Sequence, residues 1–307
     1  MIKIKGLIAA SYTPFDNKGQ LDVSLIPTYA NVLKKSGVSG VFINGTTGEG
    51  ASLTTSERIA SANAWIKEKS DKFLVIVHVG HNSLMVSREL AAHAKTIQAD
   101  GIGSMAPYFY KPTDIYSLVY HNAAIANAAP ELPYFYYHIP SMTGVNFQMI
   151  DFLPEAEKQI PNLAGIKFTH DDLMDMKLCL EFANGKYNIL HGRDEFLISG
   201  LVLGVQGAIG STYNYMAPLY VKILDAFNRL DLKLANKLQH EAIKIIKVLI
   251  KYGGGVKAGK SFMRCVGIDC GSPRLPVIGL TQAEEAQLNK ELQALRFHDH
   301  CIDFSIA

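Results

Sequence analysis

Eight short runs of apolar, β-branched and aromatic residues recur along the chain, separated by helix-length segments. They are GLIAAS (6–11), GVFIN (40–44), FLVIVHV (73–79), GIGSMA (101–106), YFYYHI (134–139), LAGIKF (163–168), YNILH (187–191) and GAIGS (207–211). Their apolar character is continuous rather than alternating, as in parallel strands covered on both faces. Most intervening segments carry the helical period. In residues 22–36, Leu25, Ile26, Tyr29, Val32 and Leu33 share one face, and Gly37 supplies the stop. Thr54 and Glu57 have capping-box spacing ahead of the next helix. Eight such units over about 220 residues match a (β/α)8 TIM barrel. A doubly wound sheet would give the same alternation, but no Gly-rich dinucleotide turn follows the first strand, which favours closure.

From residue 217 onward the strand pattern stops. Residues 217–252 and 282–296 read as helices, the second opened by Thr281 and Glu284 in another capping box, with GSPRLPVIGL between them. The expected organisation is an α/β catalytic barrel over residues 1–225 with a C-terminal helical appendage over 226–307. The 307 residues are 48% hydrophobic, enough for a sizeable core. The 30 basic and 28 acidic residues are spread without a long run of one sign, so charge points to neither nucleic acid nor a lipid surface. Cysteines 179, 265, 270 and 301 form no CxxC pair, which fits reduced thiols and argues against a metal site. The N-terminal MIKIKGLIAASYTPF is too brief for a secretory core, and no apolar stretch reaches membrane-spanning length. The expectation is a soluble, cytoplasmic protein.

In a barrel, reactive groups belong at the C-terminal ends of the strands. Here those ends read NGTTGEG, YYHIPSMTG, IKFTHDD, HGRDE and GSTYN. Lys167 stands inside an apolar run, where a charge is costly. Either its stem snorkels to solvent from a half-buried strand, or its desolvated amine serves as a nucleophile. The side chain can face the barrel interior or the helix layer, and inside it is tolerable only near the open end. Tyr137 reads equally as a core aromatic or as a phenol beside that lysine, since strands five and six should be neighbours. NGTTGEG reads as a strand-to-helix turn or as a cradle for a carboxylate. Asp194 also fits a helix N-cap. GGVKAGKS (254–261) matches the phosphate-loop pattern letter for letter, but lysines 244, 247 and 251 before it have helical spacing. A helical entry and the short stretch of chain after Ser261 argue against nucleotide binding.

Taken together, GTTGE, YHIP followed by TG, GIKFT, GRDE and GSTYN, in this order, resemble the Schiff-base-forming pyruvate aldolases, the family of dihydrodipicolinate synthase and N-acetylneuraminate lyase. The resemblance spans nearly the whole chain and implies a closed (β/α)8 barrel. Met142 stands where the synthases typically carry a carboxylate-binding arginine, and a thioether makes no such ion pair. YHIP, Thr169 and the acidic pair of GRDE look instead like the lyase branch. By that resemblance Lys167 is the Schiff-base lysine and Tyr137 the proton-transfer residue. Thr46 and Thr47 hold the pyruvate carboxylate, while Thr169, Gly192, Asp194, Glu195 and Ser211 line the pocket for a hydroxylated tail. The same resemblance implies a cofactor-free, metal-free lyase interconverting N-acetylneuraminate with pyruvate and N-acetylmannosamine, assembled as a homotetramer or homodimer. The alternatives are an aldolase for another 2-keto-3-deoxy acid and a non-catalytic sugar-acid binding protein. One departure stands out: Phe109 occupies the position where many relatives hold a relay tyrosine, with Tyr110 next to it, so whether Tyr110 substitutes is open.

Overall fold

In the computed structural model, which describes residues 3–301, the eight predicted strands form one closed parallel barrel in sequential order. They are Gly6–Ala10 (β1), Gly40–Ile43 (β2), Leu74–His78 (β3), Gly101–Met105 (β4), Tyr134–His138 (β5), Leu163–Phe168 (β6), Asn188–His191 (β7) and Gly207–Gly210 (β8). A helix follows each strand: Ile26–Lys35 (α1), Thr55–Trp65 (α2), Leu84–Thr96 (α3), Ile115–Ala126 (α4), Met149–Gln159 (α5), Leu173–Glu181 (α6), Leu197–Leu203 (α7) and Tyr213–Asn228 (α8). Local signals set several boundaries. Gly37 adopts φ +81° just past α1, and the Thr54–Glu57 capping box opens α2 with both reciprocal hydrogen bonds made.

The strands are buried on both faces, as continuous apolar runs require. One face packs outward on the helices through residues such as Val75, Val77, Tyr134, Tyr136 and Ile166. The other fills the barrel with a smaller cluster that includes Ile8, Phe42, Ile76, Phe135, Leu190 and Ile209. No helix among the described residues is long and apolar enough to cross a membrane.

The expected helix over 217–252 is in fact two. α8 ends at Asn228 and Leu232–Lys251 forms α9, because Leu230 turns left-handed at φ +61° and Asp231 caps the new helix by accepting from the Leu234 N–H. Gly259–Cys265 (α10) and Gln282–Ala294 (α11) complete the C-terminal part, with the second capping box at Thr281 and Glu284. The phosphate-loop look-alike therefore comes after a helix, and Lys260 within it is wholly buried against Glu49.

Candidate active site

Lys167 lies on the inner face of β6 because of a break in the strand's alternation. Ala164 belongs to the interior cluster, yet Ile166, two residues on, packs outward. The β5–β6 ladder shifts register between Tyr134 and Phe135, pairing Tyr134 with Leu163 but Phe135 with Gly165. An irregularity of this kind switches the side of every later residue. Gly165 makes it feasible, since a Cβ there would sit 1.9 Å from the Asn188 carbonyl oxygen of β7. Lys167 is 4% exposed. Its Nζ stands 3.9 Å from the Tyr137 ring centroid and 4.5 Å from that of Phe42. Among the described residues, Lys167 makes no ion pair with a carboxylate. The side-chain nitrogen is thus held against two aromatic faces, without a carboxylate partner.

Tyr137 pairs in register with Lys167, and its hydroxyl is 3.3 Å from Thr46 Oγ1. The β2 turn that carries Thr46 and Thr47 is closed by the Glu49 N–H donating to the Thr46 carbonyl and the Gly50 N–H donating to that of Gly45. Thr13 Oγ1 donates to the Gly48 carbonyl at 2.6 Å. Gly50 is needed, for a Cβ there would lie 1.9 Å from Asn44 O. Thr46 and Thr47 are both half-buried.

Across the mouth, Thr169 donates its N–H to the His138 carbonyl, and Gly192 donates to that of Phe168. A Cβ at Gly192 would come within 2.0 Å of Thr169 Oγ1, an oxygen that is buried and has no hydrogen-bond partner among the described residues. Asp194 is not the N-cap of the turn it opens. Its carboxylate crosses to the turn after β8, where Oδ2 accepts from the Thr212 N–H at 2.9 Å and from Thr212 Oγ1 at 2.7 Å. Burial pushes this carboxyl up to about 6, opposed by the Thr212 hydrogen bonds. Glu195 is half-buried and pairs with Arg193 at 3.4 Å, and Arg193 also pairs with Asp171. Ser211 is half-buried on the β8 turn, which Asn214 ties down by donating to the Ser211 and Ala10 carbonyls.

Several buried polar residues escaped the motif reading. Arg58 donates to the Gly80 and His78 carbonyls, and His78 Nδ1 lies 3.1 Å from Asn44 O. Burial, then the positive charges of Arg58 and Lys167, hold the His78 imidazole well below its usual range, so it is neutral. The asparagine-glycine step at 44–45 was the visible signal, since Asn44 turns left-handed at φ +59°. A largely apolar cavity of about 200 Å³ meets this region at Thr46 and is lined also by Met105, Tyr108 and Met142. Phe109 and Tyr110 are 73% and 86% exposed and stack edge-on against each other. Among the described residues, neither makes a hydrogen bond or a ring contact with Lys167 or Tyr137.

A closed parallel barrel with a lysine and a tyrosine side by side near its C-terminal mouth defines an enzyme that works on a small molecule there. The chain belongs to the dihydrodipicolinate synthetase family, whose pattern matches residues 3–295. It is 42% identical over 305 residues to the N-acetylneuraminate lyase of Homo sapiens, covering 97% of this chain and 95% of that protein. Identity to the Rattus norvegicus N-acetylneuraminate lyase is 41% over 299 residues, covering 96% and 93%. The solved N-acetylneuraminate lyase of Proteus mirabilis superposes with a TM-score of 0.93 at 39% identity, covering 96% of this chain and all of that one.

Proposed function

We propose that this protein is a cofactor-free class I aldolase that cleaves N-acetylneuraminate reversibly to pyruvate and N-acetylmannosamine. The observation that carries the reading is the buried, carboxylate-free amine of Lys167 at 3.9 Å from the ring of Tyr137, in a chain about 41% identical to lyases of that name over nearly its full length. The Lys167 amine adds to the C2 ketone of the open-chain sugar and expels water, leaving a protonated imine. Tyr137 takes the proton of the C4 hydroxyl while passing its own toward the substrate carboxylate. The C3–C4 bond breaks, its electrons enter the imine to give an enamine, and the aldehyde of N-acetylmannosamine departs. Protonation of the enamine at C3 and hydrolysis release pyruvate and the free lysine.

In this reading Thr46 and Thr47 hold the carboxylate, and Thr169, Gly192, Asp194, Glu195 and Ser211 face the hydroxylated tail. Met142, exposed at the cavity rim, supports a substrate other than the synthase's second one. Residues 1–225 are read as the catalytic barrel and 226–307 as its helical extension, in a cytoplasmic homotetramer or homodimer. The exposed rings of Tyr110, Tyr116 and Tyr120 support a face covered by another subunit.

The test is borohydride reduction in the presence of pyruvate, followed by peptide mass spectrometry, alongside a product assay with N-acetylneuraminate. A reduced adduct on the Lys167 peptide and release of N-acetylmannosamine are expected. An adduct on another lysine, or turnover of only a different 2-keto-3-deoxy acid, refutes the assignment.

A further inference from the structure

The turn that carries Thr46 and Thr47 is restrained from behind by an ion pair that the reaction itself does not use. Glu49, which closes that turn, holds φ at +52°, a left-handed conformation that a glutamate adopts only when its surroundings enforce it. The enforcement comes from the C-terminal helices. Lys260 Nζ on α10 lies 2.8 Å from Glu49 Oε1, with the two side chains 1% and 3% exposed. The Arg274 N–H donates to Glu49 Oε2 at 2.8 Å. Lys260 also stands 3.9 Å from the Phe15 ring centroid and donates to the Ser272 carbonyl at 3.3 Å. Both oxygens of Glu49 are therefore engaged by residues that lie outside the eight strand–helix units.

A buried ion pair is a poor source of net stability, because desolvation of both charges offsets their attraction. Its effect is positional: in a dry site the attraction between two charges is strong and falls off with distance, so the ammonium draws the carboxylate to one place. From that carboxylate the path to the reacting centre is short and continuous. The Glu49 N–H bonds the Thr46 carbonyl, and Thr46 Oγ1 is 3.3 Å from the Tyr137 hydroxyl, beside Lys167.

We infer that Glu49 and Lys260 are positioning residues that hold the Thr46–Thr47 turn where it receives the carboxylate of an α-keto acid as the amine of Lys167 meets the adjacent carbonyl. This rests on the Schiff-base reading above. It also accounts for the glycine-lysine-serine segment at 259–261: Gly259 allows close approach, since a Cβ there would lie 1.9 Å from Tyr12 Oη, and the lysine serves a carboxylate within the chain rather than a phosphate.

The experiment measures borohydride trapping of pyruvate on Lys167 across pyruvate concentrations, with melting temperature as a parallel readout. The variants are Lys260→Met, Glu49→Gln, Lys260→Arg and the double Glu49→Met/Lys260→Met. The double variant leaves neither charge unpaired, so it tests the inference even where Lys260→Met fails to fold. Half-saturating pyruvate should rise about tenfold or more in Glu49→Gln and in the double variant, while trapping at saturating pyruvate falls less than about threefold. Lys260→Arg should recover part of the affinity. A folded double variant with wild-type half-saturation overturns the inference and leaves the Schiff-base reading intact. Absence of a Lys167 adduct in the wild-type protein overturns both.

Discussion

Two buried carboxylates stand behind the barrel mouth on either side of β1, and they are compensated differently. Glu49, behind the β2 turn, faces an ammonium at 2.8 Å. Asp194, between β7 and β8, has no cation within ion-pair distance among the described residues and is held by the amide and hydroxyl of Thr212. The first arrangement opposes charge with charge. The second places a carboxyl in a dry site with neutral donors, and burial pushes it up to about 6. The β2 side is thus built for fixed geometry, and in the proposed reading it receives the end of the substrate common to all α-keto acids. The β7–β8 side carries a carboxyl that titrates near 6, and in the same reading it meets the hydroxylated tail.

The largest expected effect falls on Tyr137 of β5, which faces the β2 turn. Tyr137→Phe removes the hydroxyl that reaches Thr46 and should lower kcat by about 10²- to 10⁴-fold, with a much smaller change in KM. Steady-state kinetics with N-acetylneuraminate decide it, and an unchanged kcat removes Tyr137 from proton transfer. Gly165→Ala tests what both sides depend on, the inward aim of Lys167. The added Cβ meets Asn188 O, so the β6 irregularity must relax, and trapping of pyruvate on Lys167 should fall by about 10². Wild-type trapping in a folded Gly165→Ala protein contradicts the register argument.

A more selective effect is expected from Asp194→Asn. Turnover of N-acetylneuraminate should drop by about 10- to 100-fold, since hydrogen bonds to a charged group contribute roughly 1.5 to 3 kcal/mol, while pyruvate trapping persists. Loss of both would assign Asp194 to the Schiff-base step rather than to the tail.

The same variant has a pH signature. The native carboxyl, at about 6, lies above its ordinary 3.8, so its contribution to stability is fully present below about 3.8 and is lost as pH rises through 6. Asp194→Asn should therefore gain stability relative to wild type between pH 4 and pH 7, by about 3 kcal/mol at most. His138 and His191, which burial holds down to about 3 and about 4, contribute in the opposite direction, fully above about 6.5 and lost as pH falls through those values. They are common to both proteins and cancel in the difference. Melting curves at the two pH values provide the check, and an unchanged difference refutes the titration of Asp194. The smallest effect is expected for Glu195→Gln. Glu195 is half-exposed and already paired with Arg193, so turnover should change by only about fivefold or less.

Much of the architecture was readable from local pattern. The eight strands lie within one residue of the predicted runs at each end, and both capping boxes form. Hydrophobic period and cap chemistry act over a few residues, so one stretch of chain contains the whole signal. The neighbouring positions of Tyr137 and Lys167 came from the same logic, because consecutive strands pair.

What only the tertiary structure decided depends on atoms distant in the chain. Whether Lys167 faced the barrel or the helices was undetermined, since period two reverses at a register shift that Gly165 permits against β7. The break at Leu230 was obscured because apolar residues continue through it, although Asp231 carried a cap signal. Asp194 reads in sequence as a cap or a ligand residue, and its engagement with Thr212 exists only because β7 and β8 lie side by side. The Lys260 ammonium, within a phosphate-loop pattern, finds its carboxylate in the β2 turn. The sequence by itself determined where elements begin and which residue types reach the mouth. Folding determined which faces they present and which buried charges meet, because burial, register and ion pairing are properties of assembled neighbours rather than of any one segment.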